Sequence, residues 1–428
     1  MAEWEIGIAV LFALLLLGVP ISFALALVGT VGTASIIGIN PALSLLGQTY
    51  AENSRSYTLS ILPLFLMMGN FVVQSGIAQD LYTAAYAWLR HKRGGLAIAT
   101  VVACGGFSSV CGSSLATAST MAKIAMPSMR RFSYPDHLST ASIAAGGTLG
   151  ILIPPSVILV FYGIMTQQDI GKLFLAGILP GILGVLLYAL AVRISVARLQ
   201  TDLPVEPKLP LIERIRALKG ITGALGLFVF VMGGIYLGVF TPTESAGMGA
   251  GGAFLLALVQ GRLTLQDTMN TLYETAKTTA MMFFILFGAL TFANYVNLSG
   301  MTRDVQSLVM SINDPLLALL AITAIYLLLG CVLEGLSMIT LTVPIFYPIV
   351  SALGYDLIWF GIFVVIVTEV SYITPPVGLN AFVLRAVVKD VPLGTIFRGL
   401  TPFLAVDVLR VALIVAFPII VLLIPNMM

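Results

Sequence analysis

The chain contains very little charge. Only 9% of its 428 residues are Asp, Glu, Lys or Arg, whereas 59% are hydrophobic and the mean hydropathy is +1.04. A water-soluble fold needs far more surface charge, so this composition excludes one. The apolar runs are continuous, as in residues 283–290, and do not alternate with polar residues, which disfavours a membrane β-barrel. The sequence therefore predicts an all-α polytopic membrane protein.

Cysteine and histidine are scarce. The three cysteines, Cys104, Cys111 and Cys331, have no metal-ligand spacing and offer no disulfide framework, so we interpret them as small packing residues. The two histidines, His91 and His137, lie in a basic loop and at a predicted span boundary. A phosphate loop of the form GxxxxGK followed by Ser or Thr is also missing, so ATP is not expected to drive the protein.

The chain does contain a long internal duplication. Several proline and tyrosine positions recur 221 residues later, which pairs Pro127 with Pro348, Tyr134 with Tyr355, Pro154 with Pro375, and Pro155 with Pro376. Corresponding Pro- or Gly-interrupted apolar segments in two halves are typical of secondary transporters. We therefore predict a repeat at 1–199 and a second at 220–428, joined by a cytoplasmic linker at 200–219.

The apolar segments predict the topology. Taking about 20 residues per span, we expect spans near 5–18, 20–39, 58–89, 137–165 and 173–194, and near 221–240, 243–260, 278–298, 356–386 and 399–425. An odd number of spans in each half makes the second repeat inverted relative to the first. Acidic residues precede the first segment, which is expected to be a membrane anchor rather than a cleaved signal peptide.

Two further segments, 94–130 and 315–350, are predicted to be re-entrant helical hairpins. Basic clusters flank both ends of the first, which favours entry and exit at one membrane face. Roughly 16 helical residues descend about 24 Å, which brings the tip at 111–114 near midplane. The second hairpin enters from the opposite face with its tip at 334–337.

The distribution of positive charge orients the protein. Most of the 21 Lys and Arg residues lie on one face in this topology, which is then the cytoplasmic face, and both termini are predicted to be periplasmic. Segments 41–55 and 263–277 are polar and amphipathic. Each is either an interfacial arm bracing a moving unit or an ordinary surface helix, and the sequence leaves both open.

The first tip is rich in small and hydroxyl residues. Residues 105–117 carry glycine, serine and threonine consecutively, whereas close helix packing alone would space small residues four apart. We therefore favour an unwound tip whose carbonyl and hydroxyl oxygens hold Na⁺.

Tandem prolines interrupt the predicted helices 137–165 and 356–386. Two adjacent prolines remove two amide donors and leave carbonyl groups unpaired. A single proline would be enough for a kink, and an unpaired carbonyl in a membrane is costly unless it binds something. The pairs Pro154–Pro155 and Pro375–Pro376 therefore favour an ion site over a simple kink.

Ionisable residues are rare within the predicted membrane segments, and each is a functional candidate. They are Lys123, Glu244, Glu334, Glu369, Asp407 and Arg410. Asp407 and Arg410, three residues apart, are predicted to pair with each other.

Three of the charged residues bear on ligand binding. Glu334, at the second tip, is predicted to hold Na⁺ or to cap a helix. Lys123 and Arg385 each follow a tip or helix break and are candidates for attracting an anion, although Arg385 is equally well explained as an inner-face anchor.

Together these motifs resemble the large membrane subunit of tripartite ATP-independent periplasmic (TRAP) transporters. The resemblance covers the full chain and rests on residues 105–117, 153–156, Glu334-Gly335 with Pro344 and Pro348, and 374–380. It implies a Na⁺-driven elevator-type importer of small organic acids in the bacterial inner membrane, with substrates such as C4-dicarboxylates or sialic acid. The implied partners are a small four-helix membrane (Q) subunit and a soluble periplasmic substrate-binding (P) protein, besides membrane lipid. No nucleic acid and no cofactor other than the coupling ion are expected.

The resemblance also assigns residues by position. Na⁺ would be held by Ser108, Gly112, Ser113, Ser114, Thr117, Gly330, Glu334, Gly335, Ser337, Thr374 and Pro375. The substrate would contact Ser114, Thr148, Pro155, Ser156, Glu334, Asn380, Lys123 and Arg385.

Three other functions compete with this interpretation. A sodium/carboxylate symporter that needs no binding protein fits the same motifs. An intramembrane serine hydrolase would use Gly112-Ser113, but it needs a histidine base near the tip, and neither histidine is expected there. A purely structural subunit gives no reason for two polar, broken helix pairs in the lipid core. The chain is therefore predicted not to be an enzyme.

Overall fold

A computed structural model describes residues 3–199, 203–311 and 314–428, and within these ranges the chain is helical without β-strands. The helices before the linker are α1 (Glu3–Leu16), α2 (Ile21–Ile37), α3 (Ile39–Ser54), α4 (Ile61–Gln74), α5 (Ile77–Leu89), α6 (Gly95–Cys111), α7 (Ser114–Arg131), α8 (Asp136–Thr148), α9 (Val157–Thr166) and α10 (Ile170–Ala197). Those after it are α11 (Leu211–Leu218), α12 (Thr222–Tyr236), α13 (Pro242–Val259), α14 (Leu265–Leu298), α15 (Met301–Ser311), α16 (Pro315–Leu329), α17 (Gly335–Ala352), α18 (Leu357–Ser371), α19 (Leu379–Val387), α20 (Leu393–Ala416) and α21 (Ile419–Leu422).

Several helices are suited to a membrane. Six in the described ranges are long and apolar enough to cross one, namely Tyr57–Gln74, Ile170–Ala197, Leu211–Tyr236, Leu265–Leu298, Gly335–Ala352 and Leu393–Ala416. Shorter apolar helices accompany them, among them α2, α6, α9, α16 and α18. The prediction of an all-helical, multi-pass membrane protein is confirmed.

The prediction of one span at 58–89 is wrong. The helix stops at Gln74 and restarts at Ile77, because Gly76 adopts a left-handed backbone with φ of 71°. The Ser75 carbonyl at this break accepts a 2.6 Å hydrogen bond from Arg262 Nη1. Gly300, with φ of 76°, separates α14 from α15 in the same way.

The two amphipathic segments differ. Segment 41–55 falls on α3, a helix of its own. Segment 263–277 is not separate, because it forms the first part of α14, whose 34 residues run without interruption through the predicted span 278–298. At 1.5 Å per residue α14 is about 51 Å long, well beyond the hydrocarbon thickness. A capping box between Thr264 and Asp267 fixes its start.

The linker is partly helical. Residues 200–202 lie outside the described ranges, residues 203–210 have no regular structure, and α11 follows. Glu206 forms a 2.5 Å ion pair with Arg90, and Trp88 Nε1 donates to the Arg214 carbonyl at 3.0 Å. The Arg214 guanidinium lies 4.1 Å from the centre of the Trp88 ring. The linker is thus bound to the end of α5.

Two helix pairs fold back on themselves. In α6 and α7, the Leu96 amide lies 3.4 Å from the hydroxyl of Tyr134, which follows α7, so the outer ends of the pair meet. In α16 and α17, the Thr342 hydroxyl donates to Tyr326 OH at 2.5 Å, and the Tyr326 and Phe346 rings are 5.9 Å apart. The first tip, residues 112–113, joins α6 to α7. The second tip comprises residues 330–334 rather than the predicted 334–337, because α17 already begins at Gly335.

Two other helices are interrupted within the core. Residues 149–156 separate α8 from α9, and residues 372–378 separate α18 from α19. Residues 138–148 of α8 and 359–371 of α18 are all buried, so these two helices lie at the centre of the molecule. Their interruptions coincide with the tandem prolines.

Candidate ion and substrate site

The two tips share one cavity. It has a volume of about 420 Å³ and is lined by residues of both tips, of both interruptions and of helices α4 and α14. The polar lining residues are Asn70, Ser113, Ser114, Thr278, Glu334 and Tyr372.

The first tip is held by its own hydrogen bonds. The Ser113 hydroxyl accepts from the Ala116 amide at 3.3 Å and caps α7, while the Ser113 carbonyl accepts from the Thr117 hydroxyl at 2.8 Å. Gly112 ends α6 with a left-handed φ of 66°. One turn earlier, the Ser108 hydroxyl is wholly buried and has no hydrogen-bond partner among the described residues.

The first tip also packs directly against the interruption between α8 and α9. A Cβ on Gly150 would lie 2.6 Å from the Ser113 carbonyl oxygen, and one on Gly112 would lie 2.9 Å from the Pro155 carbonyl oxygen. Ser156 closes the interruption, because its hydroxyl donates to the Ile151 carbonyl at 2.5 Å and accepts from the Leu159 amide at 3.3 Å. Backbone therefore meets backbone at this tip, with no room for side chains.

The second tip is contacted by side chains from the end of α18 and the interruption that follows it. Glu334 caps α17, since Oε1 accepts from the Leu336 amide at 3.0 Å. The Gly335 amide donates to Tyr372 OH at 2.6 Å, and Gly330 lies against the Ser371 side chain. The predicted alternative that Glu334 caps a helix is confirmed, and its carboxylate also lines the cavity.

Asn380 joins the two halves. On α19 of the second half and wholly buried, it pairs with Ser114 at 2.8–3.0 Å and donates to the Ala144 carbonyl of α8 at 2.9 Å. In the opposite direction, Ile158 of the first half lies against Gly335. Each tip is thus supported by both halves.

Groups of positive and of negative charge both face the cavity. Helices α7 and α17 both begin at a tip, so the positive ends of two helix dipoles lie at the cavity. Glu334 is the one carboxylate among its lining residues. Such a site provides carboxylate and hydroxyl oxygens for a cation and amide groups for an anion.

Some residues predicted for the ion site lie beside the cavity rather than on it. Thr117 and Ser337 are buried within α7 and α17. The Thr374 hydroxyl donates to the Val370 carbonyl at 2.6 Å, while Pro375 is exposed.

Only some of the residues predicted to contact the substrate line the cavity between the tips. Ser114 and Glu334 line the cavity, whereas Thr148 does not line it and lies 3.1 Å from Tyr188 OH. Lys123 lines a separate cavity of about 480 Å³ beside Arg130 and Asp390. Arg385 donates to the carbonyls of Lys389 and Val391, the latter at 2.9 Å, and so closes the end of α19.

Comparison with known proteins identifies the family. The family model described as "Tripartite ATP-independent periplasmic transporter, DctM component" matches residues 8–420. The chain belongs to this family. The prediction of a TRAP large membrane subunit is confirmed.

Individual relatives support the same family. A "C4-dicarboxylate TRAP transporter large permease protein DctM" of Pseudomonas aeruginosa is 38% identical over 377 residues, which cover 88% of each chain. A "Sialic acid TRAP transporter large permease protein SiaM" of Vibrio cholerae is 32% identical over 417 residues, covering 97% of this chain and 96% of the relative. The solved YdaH transporter of Alcanivorax borkumensis has a TM-score of 0.63 over 90% of both chains at 16% identity, which is a likeness of fold.

Three polar lining residues of this TRAP subunit were not predicted, namely Asn70, Thr278 and Tyr372. Tyr372 supports the second tip through its hydroxyl, and it lies just before Thr374 in a segment already singled out for its prolines. Asn70 donates to Thr275 on α14 at 2.9 Å. Its signal is an amide within the apolar helix α4, since a polar group in a membrane segment marks a partner or a ligand.

The rare charges of this TRAP subunit have different roles. Glu244 lies at the start of α13 and completes a capping box with Thr241. Asp407 and Arg410 pair as predicted, at 3.6 Å, but a closer partner of Arg410 is Glu369 at 2.8 Å. Sequence spacing did not reveal Glu369, because it lies on another helix.

Proposed function

We propose that this TRAP large subunit imports a small organic acid together with Na⁺ through the cavity between its two tips. One observation carries the proposal, namely that both tips and both helix interruptions meet at a single polar cavity of about 420 Å³. Broken helices that meet at one site expose backbone groups to ions and substrate.

Na⁺ is the proposed coupling ion because the site is rich in oxygen. Ser113, Ser114 and Glu334 supply hydroxyl and carboxylate oxygens at the cavity, and the unpartnered Ser108 hydroxyl lies one turn from the first tip. Hard cations prefer such ligands. Among the described residues, no group of three or more His, Cys, Asp and Glu side chains is arranged to hold a metal ion.

The proposed substrate is an anion. The starts of α7 and α17 favour a carboxylate at the cavity, and a bound Na⁺ would offset the charge of Glu334. The relatives' names suggest two probes, a C4-dicarboxylate and sialic acid. The backbone contacts of the first tip with Gly150 and Pro155 favour movement of tips and interruptions as one unit, in an elevator motion.

The proposed setting follows from the family. A tripartite transporter requires further components, which we propose to be a small four-helix membrane subunit and a periplasmic binding protein. We further propose that the chain lies in the bacterial inner membrane as two inverted repeats, with both termini in the periplasm. Basic residues concentrate on the face that this topology makes cytoplasmic.

Uptake into proteoliposomes tests the proposal. Vesicles containing this chain with its small membrane partner and the cognate binding protein receive radiolabelled succinate or sialic acid, with an inward Na⁺ or K⁺ gradient. We expect accumulation that requires both Na⁺ and the binding protein. Accumulation without the binding protein would instead favour a sodium/carboxylate symporter, and uptake indifferent to Na⁺ would refute the coupling.

A serine hydrolase fits the geometry poorly. The Ser113 hydroxyl is engaged in capping α7, and neither His91 nor His137 lines the cavity. The double variant His91→Ala/His137→Ala is therefore expected to keep transport close to that of the unmodified protein. Complete loss of transport in that variant, with folding intact, would revive a histidine-based mechanism.

A further inference from the structure

A buried ionic cluster lies between α10, α18 and α20, apart from the tip cavity. Its members are Glu369 on α18 and Asp407 and Arg410 on α20, all with 0% of the side chain exposed. Arg410 Nη1 lies 2.8 Å from Glu369 Oε2 and 3.6 Å from Asp407 Oδ1. None of the three side chains lines the cavity between the tips.

The charges of this cluster do not balance. With both carboxylates ionised, two negative charges would face one guanidinium, and among the described residues Arg410 is the one cation in ion-pair contact with either carboxylate. The other titratable groups that act on the cluster are the phenols of Tyr188 on α10 and Tyr372 after α18. Phenols are neutral near pH 7, so they supply no compensating positive charge.

The cluster also has carboxylate oxygens that accept no hydrogen bond from any described residue. Glu369 Oε1 and Asp407 Oδ1 are buried and have no hydrogen-bond partner among the described residues. An unmatched charge in a membrane interior is costly, and a carboxyl group avoids that cost by remaining protonated. Two carboxylates held in one site commonly share a proton for this reason.

We propose that Glu369 and Asp407 together bind one proton, and that Arg410 neutralises the remaining negative charge. The pair then titrates as a unit rather than as two independent acids. The cluster is thus a proton site within the transporter, separate from the proposed Na⁺ and substrate site and independent of whether that site transports an acid.

The proton site is connected to both interrupted helices. Asp407 Oδ2 accepts from Tyr188 OH at 2.9 Å, and that hydroxyl lies 3.1 Å from the hydroxyl of Thr148, the last residue of α8. On the other side, Glu369 lies on α18, just before Tyr372, whose hydroxyl holds the second tip. The proton site therefore lies next to both interrupted helices.

Infrared spectroscopy of the purified full chain at neutral pH tests the proposal. A protonated carboxylic acid has a C=O stretching band that ionised carboxylates lack. We expect this band in the unmodified protein and its loss in both Glu369→Gln and Asp407→Asn, because the remaining carboxylate then balances Arg410. The matched control is Glu213→Gln, which removes an exposed carboxylate on α11 and should leave the band unchanged.

Further variants keep the test decisive. Arg410→Gln leaves both carboxylates without a cation, so both should be protonated and the band should grow about twofold. If a single carboxylate variant fails to fold, Glu369→Gln/Arg410→Gln removes one charge of each sign and should retain the band through Asp407. Absence of the band from the unmodified protein, its survival in both single variants, or its loss when Na⁺ replaces K⁺ would overturn the proposal.

Discussion

Adding a single methyl group at Gly150 tests how closely the first tip must fit. This glycine lies in the interruption after α8, where a Cβ would be 2.6 Å from the Ser113 carbonyl oxygen, 2.8 Å from its carbon and 3.0 Å from the Ser114 nitrogen. All three atoms belong to backbone, so no side-chain rotation relieves the contact. In Gly150→Ala the tip must move away.

The size of the effect follows from the contact. An ordinary carbon–oxygen contact requires the tip to retreat by roughly 0.6–0.8 Å, and overpacking of this kind costs about 1–3 kcal/mol. Binding sites tolerate displacements of only about 0.5 Å. If Na⁺ binds at the first tip, its affinity should fall by about 5- to 150-fold, the equivalent of that free energy.

The assay is thermal unfolding of the purified protein across a Na⁺ titration with K⁺ keeping the ionic strength constant. The matched control is Gly251→Ala in α13, where an added Cβ meets nothing within 4 Å. That control should raise stability by up to about 1 kcal/mol, because alanine favours a helix. Its Na⁺ midpoint should equal that of the unmodified protein.

Two results would refute the reasoning. Unchanged stability of Gly150→Ala would show that the tip moves at no cost and that the close packing is unimportant. A lower stability with an unchanged Na⁺ midpoint would leave the packing argument intact but would remove Na⁺ from the first tip.

Three further predictions follow from single contacts. Ser113→Ala and Thr374→Ala should each weaken the Na⁺ dependence of uptake while changing the melting temperature little. An unchanged Na⁺ response in both variants would contradict the ion assignment. Asp356→Ala removes the cap of α18, which accepts from two amides at 2.8 and 2.9 Å, and should cost about 0.5–2 kcal/mol in unfolding experiments at any Na⁺ concentration. A hydrogen bond from Arg130 lowers the pKa of Asp390. The pair therefore stabilises the fold at pH values above the ordinary pKa of aspartate, and this stabilisation is lost as the pH falls through the lowered pKa. Asp390→Asn should therefore flatten the acid side of the stability profile, and a profile that stays unchanged would contradict the contribution of the pair.

Patterns local in sequence predicted much of the fold. Low charge and long apolar runs identified a membrane protein, because the bilayer excludes unpaired polar groups whatever the tertiary arrangement. The tandem prolines located both helix interruptions, since proline removes an amide donor wherever it lies. The same reasoning failed at Gly76, because glycine is compatible both with a continuous helix and with φ > 0, and the contact of Arg262 with the Ser75 carbonyl at this break comes from a residue distant in sequence.

Contacts between distant residues could not be obtained in this way. Ser113 and Glu334 were predicted at the two tips, yet only folding places them around one cavity with Tyr372 and Asn70. Arg410 was paired with Asp407 three positions away, whereas Glu369 reaches it from another helix. Helical periodicity specifies neighbours within a helix, but the packing of helices against one another depends on shape and polar pairing over the whole molecule. The sequence thus determined the membrane environment, the helix breaks at the tandem prolines and the family, and the tertiary structure decided which polar groups meet.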